Sequence, residues 1–463
     1  MENLKKKYGL FTGIAMVVGI VIGSGIFFKA DEVLKQTGGK LSMSILAWLV
    51  GGTIMIISTF CFALMASKVE KCNGVVDYVE TATNKKTAYY LGWYFSTVYY
   101  PILVGTLGFV TMSYFYSLIG LESFAFTSWH FWLATILLII LSFTFNTLAP
   151  KLAGYYQVST TIIKLIPIFF IAIVGSIYGI INGNTKIAFE SIGTLNVTKD
   201  FGGAILATVF AYEGWVVATS INSELKNSKK NLPIALVVGS FIVVLCYICY
   251  YIGLSSLIPN VNDILSKGDG APILALSKTI SVAGDFMFTL LVLISCLGTL
   301  NGLTIGCSRG MYSIAYRNQG IAPEKVKKLH PKFNMPILSS LIGLAISLVY
   351  VGIWAISFTT DFKYLITMDE LTISFVYPIY IFIYIWIMKN RTDLNVFNRY
   401  VMPLLAIICS LFLVFVVSGL FSVILTNEWS RVFSFLIFSL ISIISLGLGY
   451  IFYKQEGNKE LIE

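Results

Sequence analysis

The chain has 463 residues, 57% of them hydrophobic and only 12% charged, with a formal net charge of +9. Soluble domains carry roughly 25% charged residues, and disordered chains lack apolar mass, so this composition excludes both. It predicts one polytopic all-α membrane domain, 1–463, whose basic surplus is read first as a topology signal and not as a nucleic-acid surface.

A membrane span needs about 20 mostly apolar residues. Twelve segments qualify: 9–34, 41–66, 88–118, 129–149, 152–181, 200–222, 232–258, 283–316, 336–356, 362–388, 399–424 and 430–453. The first follows Lys5, Lys6 and Lys7 much as a signal peptide would. Its apolar run outlasts a signal peptide and no small-residue cleavage site interrupts it, so it is expected to remain as span one. Between spans two and three, Asp77–Lys86 is polar enough for a helix lying at the membrane interface. Between spans seven and eight, 271–282 predicts a second short helix.

An even number of spans puts both termini on one side. Counted with the adjoining span ends, the loops on that side hold 22 of the 32 basic residues and the opposite loops 9, and Lys164 lies inside span five. This asymmetry predicts cytoplasmic termini in a multi-pass protein of the cell membrane. Cys61, Cys246, Cys249, Cys296, Cys307 and Cys409 fall in apolar runs, and Cys72 sits beside charged residues. Cys246 and Cys249 stand in C-x-x-C spacing, but no second pair joins them into a metal-ligand cluster, so no metal or cofactor is expected.

Span one carries Gly19, Gly23 and Gly25 around Ser24. Glycine weakens a helix interior by about 1 kcal/mol relative to alanine, so this cluster invites an unwound segment. Gly19 and Gly23 equally fit a GxxxG packing face. Span six favours the break. Its centre reads Phe210-Ala-Tyr-Glu-Gly-Trp215, placing Glu213 deep in an apolar run with Gly214 next to it. A carboxylate at that depth costs a few kcal/mol and signals function. Spans one and six are also the first members of two five-span halves, about 9–181 and 200–388, with 399–453 left over as two extra helices. Interrupted segments at matching positions of two halves point to a transporter's binding site.

An unwound helix offers N–H groups where its second half starts and carbonyls where its first half ends. A zwitterionic amino acid matches both. Its carboxylate is expected on the N–H groups of Ser24, Gly25 and Ile26, beside Gly23, with the Ser24 hydroxyl adding a bond. Its ammonium is expected on the carbonyls of Val21, Phe210 and Ala211. Tyr212 and Glu213 complete the predicted substrate-binding set. Glu213 is open to three roles: fixing the broken backbone, carrying a coupling proton, or sensing the substrate side chain.

Gly23-Ser-Gly-Ile-Phe27, Phe210-Ala-Tyr-Glu-Gly-Trp215, Glu224-Leu-Lys-Asn-Ser-Lys-Lys-Asn-Leu-Pro233 and Asn301-Gly302 with Ser308-Arg309 resemble the amino acid–polyamine–organocation superfamily. Within it they are most similar to L-type amino acid transporters and their bacterial serine/threonine and alanine-serine-cysteine exchangers. The resemblance implies a five-plus-five inverted repeat with broken helices one and six, and alternating access. It implies that Phe210 closes over bound substrate as a gate. It also implies that Lys164 stands where sodium-driven relatives hold an ion between spans one and eight. Lys164 is then expected to bridge Gly25 to Ser295 and Thr299. Glu213 departs from the family, where Gly or Asp is usual. The loop Gly120–Ser128 has no cysteine, so no disulfide-linked heavy subunit is expected.

The predicted function is sodium-independent exchange of neutral L-amino acids, with alanine, serine, threonine and cysteine favoured by the resemblance. Proton-coupled symport, and transport of cationic amino acids or polyamines, remain as alternatives. No catalytic residues are expected. The chain shows no phosphate loop, nucleophile elbow or paired-carboxylate motif, which sets aside an enzyme or ATP-driven pump, and no repeated charged ring suggests a channel.

Overall fold

The computed structural model describes residues 9–23, 25–69, 74–121, 126, 128–195, 197–217, 219, 225–272, 274–275, 282–360 and 362–453. Among them, eleven helices are long and apolar enough to cross a membrane. In chain order these are Leu10–Phe28, Leu41–Ala66, Lys85–Leu118, Trp129–Leu148, Pro150–Ile181, Ser228–Leu257, Phe286–Ala315, Ile337–Thr359, Met368–Asn390, Phe397–Val417 and Ser430–Ile451. They correspond to predicted spans one to five and seven to twelve. Predicted span six holds an apolar helix of only 11 residues, Phe201–Ala211, which then turns out of helical geometry. The described residues contain no strand ladder, only the isolated bridges Thr37–Lys199 and Lys40–Ile192.

The expected interfacial helix is present as Val75–Ala82. It stops before Lys86 because the Asn84 side chain accepts from Thr87 N–H at 2.9 Å and so caps a new helix, the start of span three. The short helix expected over 271–282 falls largely outside the described residues.

Span one is interrupted as well. The helix Leu10–Val21 ends where Ile22 turns extended, and helix resumes at Gly25–Phe28. Lys29 N–H to the Gly25 carbonyl, 3.0 Å, and Val33 N–H to the Lys29 carbonyl, 3.0 Å, carry it on into Ala30–Gln36. Span three contains a π-helical turn at Phe95–Tyr99, just ahead of Pro101. Proline brings no N–H, so the Thr97 carbonyl loses its usual donor and the coil widens there.

Interior polar side chains tie the spans into two groups. Spans two, six and seven are joined by Thr59–Ser240 at 2.8 Å and by the Thr208 hydroxyl donating to the Ala47 carbonyl at 3.2 Å. Span one joins them where the Tyr251 hydroxyl donates to the Ala30 carbonyl at 3.3 Å. Spans four, five and eight meet at Asn301. Its amide accepts from Asn146 at 3.0 Å and donates to Gln157 at 2.9 Å. Ser142–Thr304 at 2.9 Å adds a second link between spans four and eight. Thr147–Ser340 at 2.8 Å and Ser308–Ser340 at 3.1 Å add span nine. Lipid tails give helices no hydrophobic reason to associate, so small-residue packing and such bonds, each about 0.6 kcal/mol, hold the bundle.

Spans five and seven approach each other backbone to backbone through glycines. A Cβ at Gly175 would stand 2.6 Å from the Gly253 carbonyl, and one at Gly253 would strike the Ile171 carbonyl. Gly253→Ala is therefore expected to destabilise the detergent-solubilised protein by ~1–3 kcal/mol. A thermal-melting series would show it, with Gly352→Ala, where nothing lies within 4 Å, as the neutral control.

Candidate functional site

The two interrupted helices break against each other. A Cβ at Gly25 would stand 3.0 Å from Ala211 Cα and 3.6 Å from its carbonyl oxygen, so only glycine lets the restart of span one lie this close to the end of helix Phe201–Ala211. Gly214 takes φ +103, a conformation open to glycine and strained for other residues. It sits against the Ile20 carbonyl, 3.4 Å from where a Cβ would be. Each end therefore depends on a glycine at the point of contact.

The freed carbonyls face one another. The Tyr247 hydroxyl of span seven donates to the Val21 carbonyl and the Ala211 carbonyl, both at 3.2 Å. One hydrogen shared between two acceptors leaves each oxygen with spare lone-pair capacity. The Phe210 carbonyl accepts from Glu213 N–H at 2.9 Å. Tyr247 is held by stacking on Tyr212, ring centroids 5.1 Å apart, and edge-on to Trp48 at 5.6 Å. The N–H groups of Gly25 and Ile26 open the resumed helix, where no intrahelical acceptor is available to them. Ser24 lies outside the described residues.

The predicted residues divide. Val21, Gly23, Gly25, Ile26, Phe210 and Ala211 come together at the breaks. Gly23 faces Thr299 of span eight, whose Oγ1 is 3.4 Å from a Cβ built there. The Tyr212 side chain turns away to span two, donating to the Trp48 carbonyl at 3.2 Å. Its helix ends at Ala211, so its side chain follows the turn and not the row of Phe210. Glu213 Oε1 accepts from the Tyr99 hydroxyl at 2.9 Å, and its Oε2 is buried with no hydrogen-bond partner among the described residues. The π-helical turn of span three ends on Tyr99 and aims it at this carboxylate.

Lys164 is 2% exposed, and among the described residues no carboxylate lies within ion-pair distance of it. Its neighbours follow from register. A Cβ at Gly19 of span one would strike Thr161, one at Gly298 of span eight would strike Thr160, and one at Gly302 would stand 3.2 Å from the Gln157 amide. Spans five and eight thus run antiparallel here, and one turn beyond Thr160 brings Lys164 level with Ser295. The Ser295 hydroxyl is fully buried without a hydrogen-bond partner among the described residues, while its carbonyl accepts from the Thr299 hydroxyl at 3.1 Å.

Two features escaped the sequence reading. Tyr247 is one of 26 tyrosines, and nothing in its flanks marks it. The other is an ion cluster at one end of the breaks. There Lys29 Nζ meets Glu370 Oε1 at 2.6 Å, Glu32 Oε2 at 3.0 Å and Asp369 Oδ2 at 3.7 Å. Span-end charges had been read for topology alone. A separate cavity of about 500 Å³, lined by Glu80, Lys85, Tyr89 and Arg317 among others, includes none of the break residues.

Residues 8–449 match the family described as amino acid permease. The chain belongs to the amino acid permease family. The permease is 30% identical to the serine/threonine exchanger SteT of Bacillus subtilis over 392 residues, 84% of this chain and 85% of that protein. It is 27% identical to the human b(0,+)-type amino acid transporter 1 over 67% of this chain and 63% of that one. With the human cystine/glutamate transporter it shares 24% identity over 73% of this chain and 66% of the other. The permease is thus a membrane transporter of amino acids and not an enzyme, with the twelve-span fold of its superfamily.

Three substitutions test this geometry. Tyr247→Phe keeps the ring stacking and removes the shared donor. It is expected to cost about 1 kcal/mol of stability and to weaken substrate affinity several-fold at near-normal expression, read by ligand-dependent melting. Tyr99→Phe and Glu213→Gln are expected to be non-additive, the double variant being no worse than the more damaging single one. Additive losses in transport rate would mean that the 2.9 Å bond is not functional.

Proposed function

We propose that the permease exchanges small neutral L-amino acids across the cell membrane without sodium, by alternating access, with both termini in the cytoplasm. The observation that carries this reading is the meeting of two opposed helix ends at Gly25 and Ala211, where backbone carbonyls and backbone N–H groups converge. The substrate carboxylate docks on the N–H groups of Ser24, Gly25 and Ile26. Its ammonium takes the free lone pairs of the Val21 and Ala211 carbonyls, with Phe210 as the gate above. Glu213 faces the side-chain end of the substrate through its bond with Tyr99.

Exchange without an ion is supported by Lys164. Its register beside spans one and eight supports a positive charge standing in for a bound cation that would otherwise link the two. The name of the Bacillus relative supports small hydroxyl substrates, and the basic-residue asymmetry supports the orientation. The permease works without a disulfide-linked heavy subunit, since loop 120–128 carries no cysteine for one. One observation favours proton-coupled symport as a second reading: Glu213 Oε2 is buried without a hydrogen-bond partner among the described residues.

The test is uptake of labelled serine or alanine into proteoliposomes of the pure protein. Exchange predicts uptake that requires internal amino acid and ignores imposed sodium and proton gradients. Uptake into empty vesicles driven by an inward proton gradient would replace exchange with symport. Lys164→Ala is expected to slow exchange at least tenfold, and unchanged rate and affinity would remove Lys164 from the mechanism.

A further inference from the structure

The ion cluster beside the breaks joins four segments that are far apart in sequence. Lys29 continues span one beyond Phe28, Asp200 opens span six, Glu370 lies in the first turn of span ten, and Arg431 starts span twelve. Lys29 is 5% exposed and Glu370 fully buried. Arg431 pairs through Nε with Asp200 and reaches Glu370 Oε2 at 3.8 Å. Asp200 also accepts from the Ser422 hydroxyl at 2.5 Å and, as the cap of span six, from Gly203 N–H at 3.0 Å. The Lys29 ammonium lies over the Phe210 ring, 5.2 Å from its centroid, and Phe28 packs edge-on to the same ring at 6.0 Å.

We propose that Lys29 and Arg431 form an ionic latch that closes this end of the substrate site, with Arg431 as the positioning residue. Arg431 belongs to the two helices outside the inverted repeat, so the latch gives those helices a part in gating. Buried charges are costly unless every one is paired, so the cluster is stable only while all four segments are together and water is excluded. Parting any one of them rehydrates the ions and favours the open form. Arg431 acts through Asp200. Asp200 caps the helix Phe201–Ala211, a rod ~16 Å long whose far end carries the Phe210 ring and the Ala211 carbonyl. Gly203 belongs to the same device, since a Cβ there would strike the Arg431 guanidinium and come within 2.6 Å of Asp200 Oδ2.

The inference rests on the breaks being the substrate site. It is tested by a measurement that needs no substrate, so a wrong substrate and a wrong latch fail separately. Thr299→Cys, facing Gly23, is placed as a reporter in a background without native cysteines and incorporated into sealed vesicles. A membrane-impermeant maleimide is added to one face or the other. Arg431→Met is expected to raise labelling several-fold from the Lys29 face alone, and Arg431→Lys to bring it part of the way back. Gly203→Ala displaces the guanidinium without changing any charge and is expected to reproduce Arg431→Met. It carries the test if Arg431→Met does not fold. Unchanged labelling in monodisperse Gly203→Ala and Asp200→Asn variants would overturn the latch. So would equal increases from both faces, which would indicate general loosening.

Discussion

Two helices stop in the apolar interior of the bundle, and the backbone groups they free must be satisfied without water. That constraint organises the rest of the structure. The Tyr247 hydroxyl answers it by lying between the Val21 and Ala211 carbonyls, one from each interrupted helix. Tyr247 can stand there because Trp48 and Tyr212 hold its ring, and Tyr212 is fastened to span two through the Trp48 carbonyl. The breaks are thus properties of a four-span unit. Spans two and seven supply what spans one and six have given up.

The distribution of polar bonds follows from the same point. Spans one, two, six and seven are linked among themselves, and spans four, five, eight and nine are linked through Asn301, Thr304 and Ser340. Between the groups the contacts are of a different kind: spans five and seven approach on Gly175 and Gly253, with the Ser176 hydroxyl donating to the Cys249 carbonyl at 3.4 Å. Glycine faces threonine at Gly19–Thr161 and Gly23–Thr299, and Tyr99 reaches Glu213. Small-residue faces separate at low cost, whereas a buried amide triad does not. On the proposed reading, motion is therefore expected between the two groups and not within them. Lys164 and Ser295 lie at that seam.

Much of this was legible in the sequence, unevenly. The interrupted spans and the burial of Lys164 within span five could be read because each rests on a local rarity: clustered glycines, a mid-span carboxylate, a lysine far from either interface. Gly25 and Ala211 were legible as partners because the two breaks occupy matching positions of two halves. Tyr247 was not, because its role depends on where span seven passes and its flanks are ordinary apolar residues. Tyr212 turns toward span two because it follows the turn after Ala211 and not helical periodicity, which no local sequence signal marks. Asp369 and Glu370 did carry a signal. Both fall inside a predicted span, where acidic residues are expensive.

On the proposed reading the substrate is held by main-chain groups. No substitution can remove the carbonyls of Val21 and Ala211, and only changes at glycine or at the brace around Tyr247 can move them. Recognition of the α-ammonium and α-carboxylate is therefore insulated from most sequence drift. Recognition of the side chain is not, because the walls are ordinary residues such as Glu213 and Tyr99. Relatives as different as a serine/threonine exchanger and a cystine/glutamate transporter align along most of this chain. A cradle held by backbone, with specificity delegated to replaceable walls, allows one fold to serve such different amino acids without rebuilding the site.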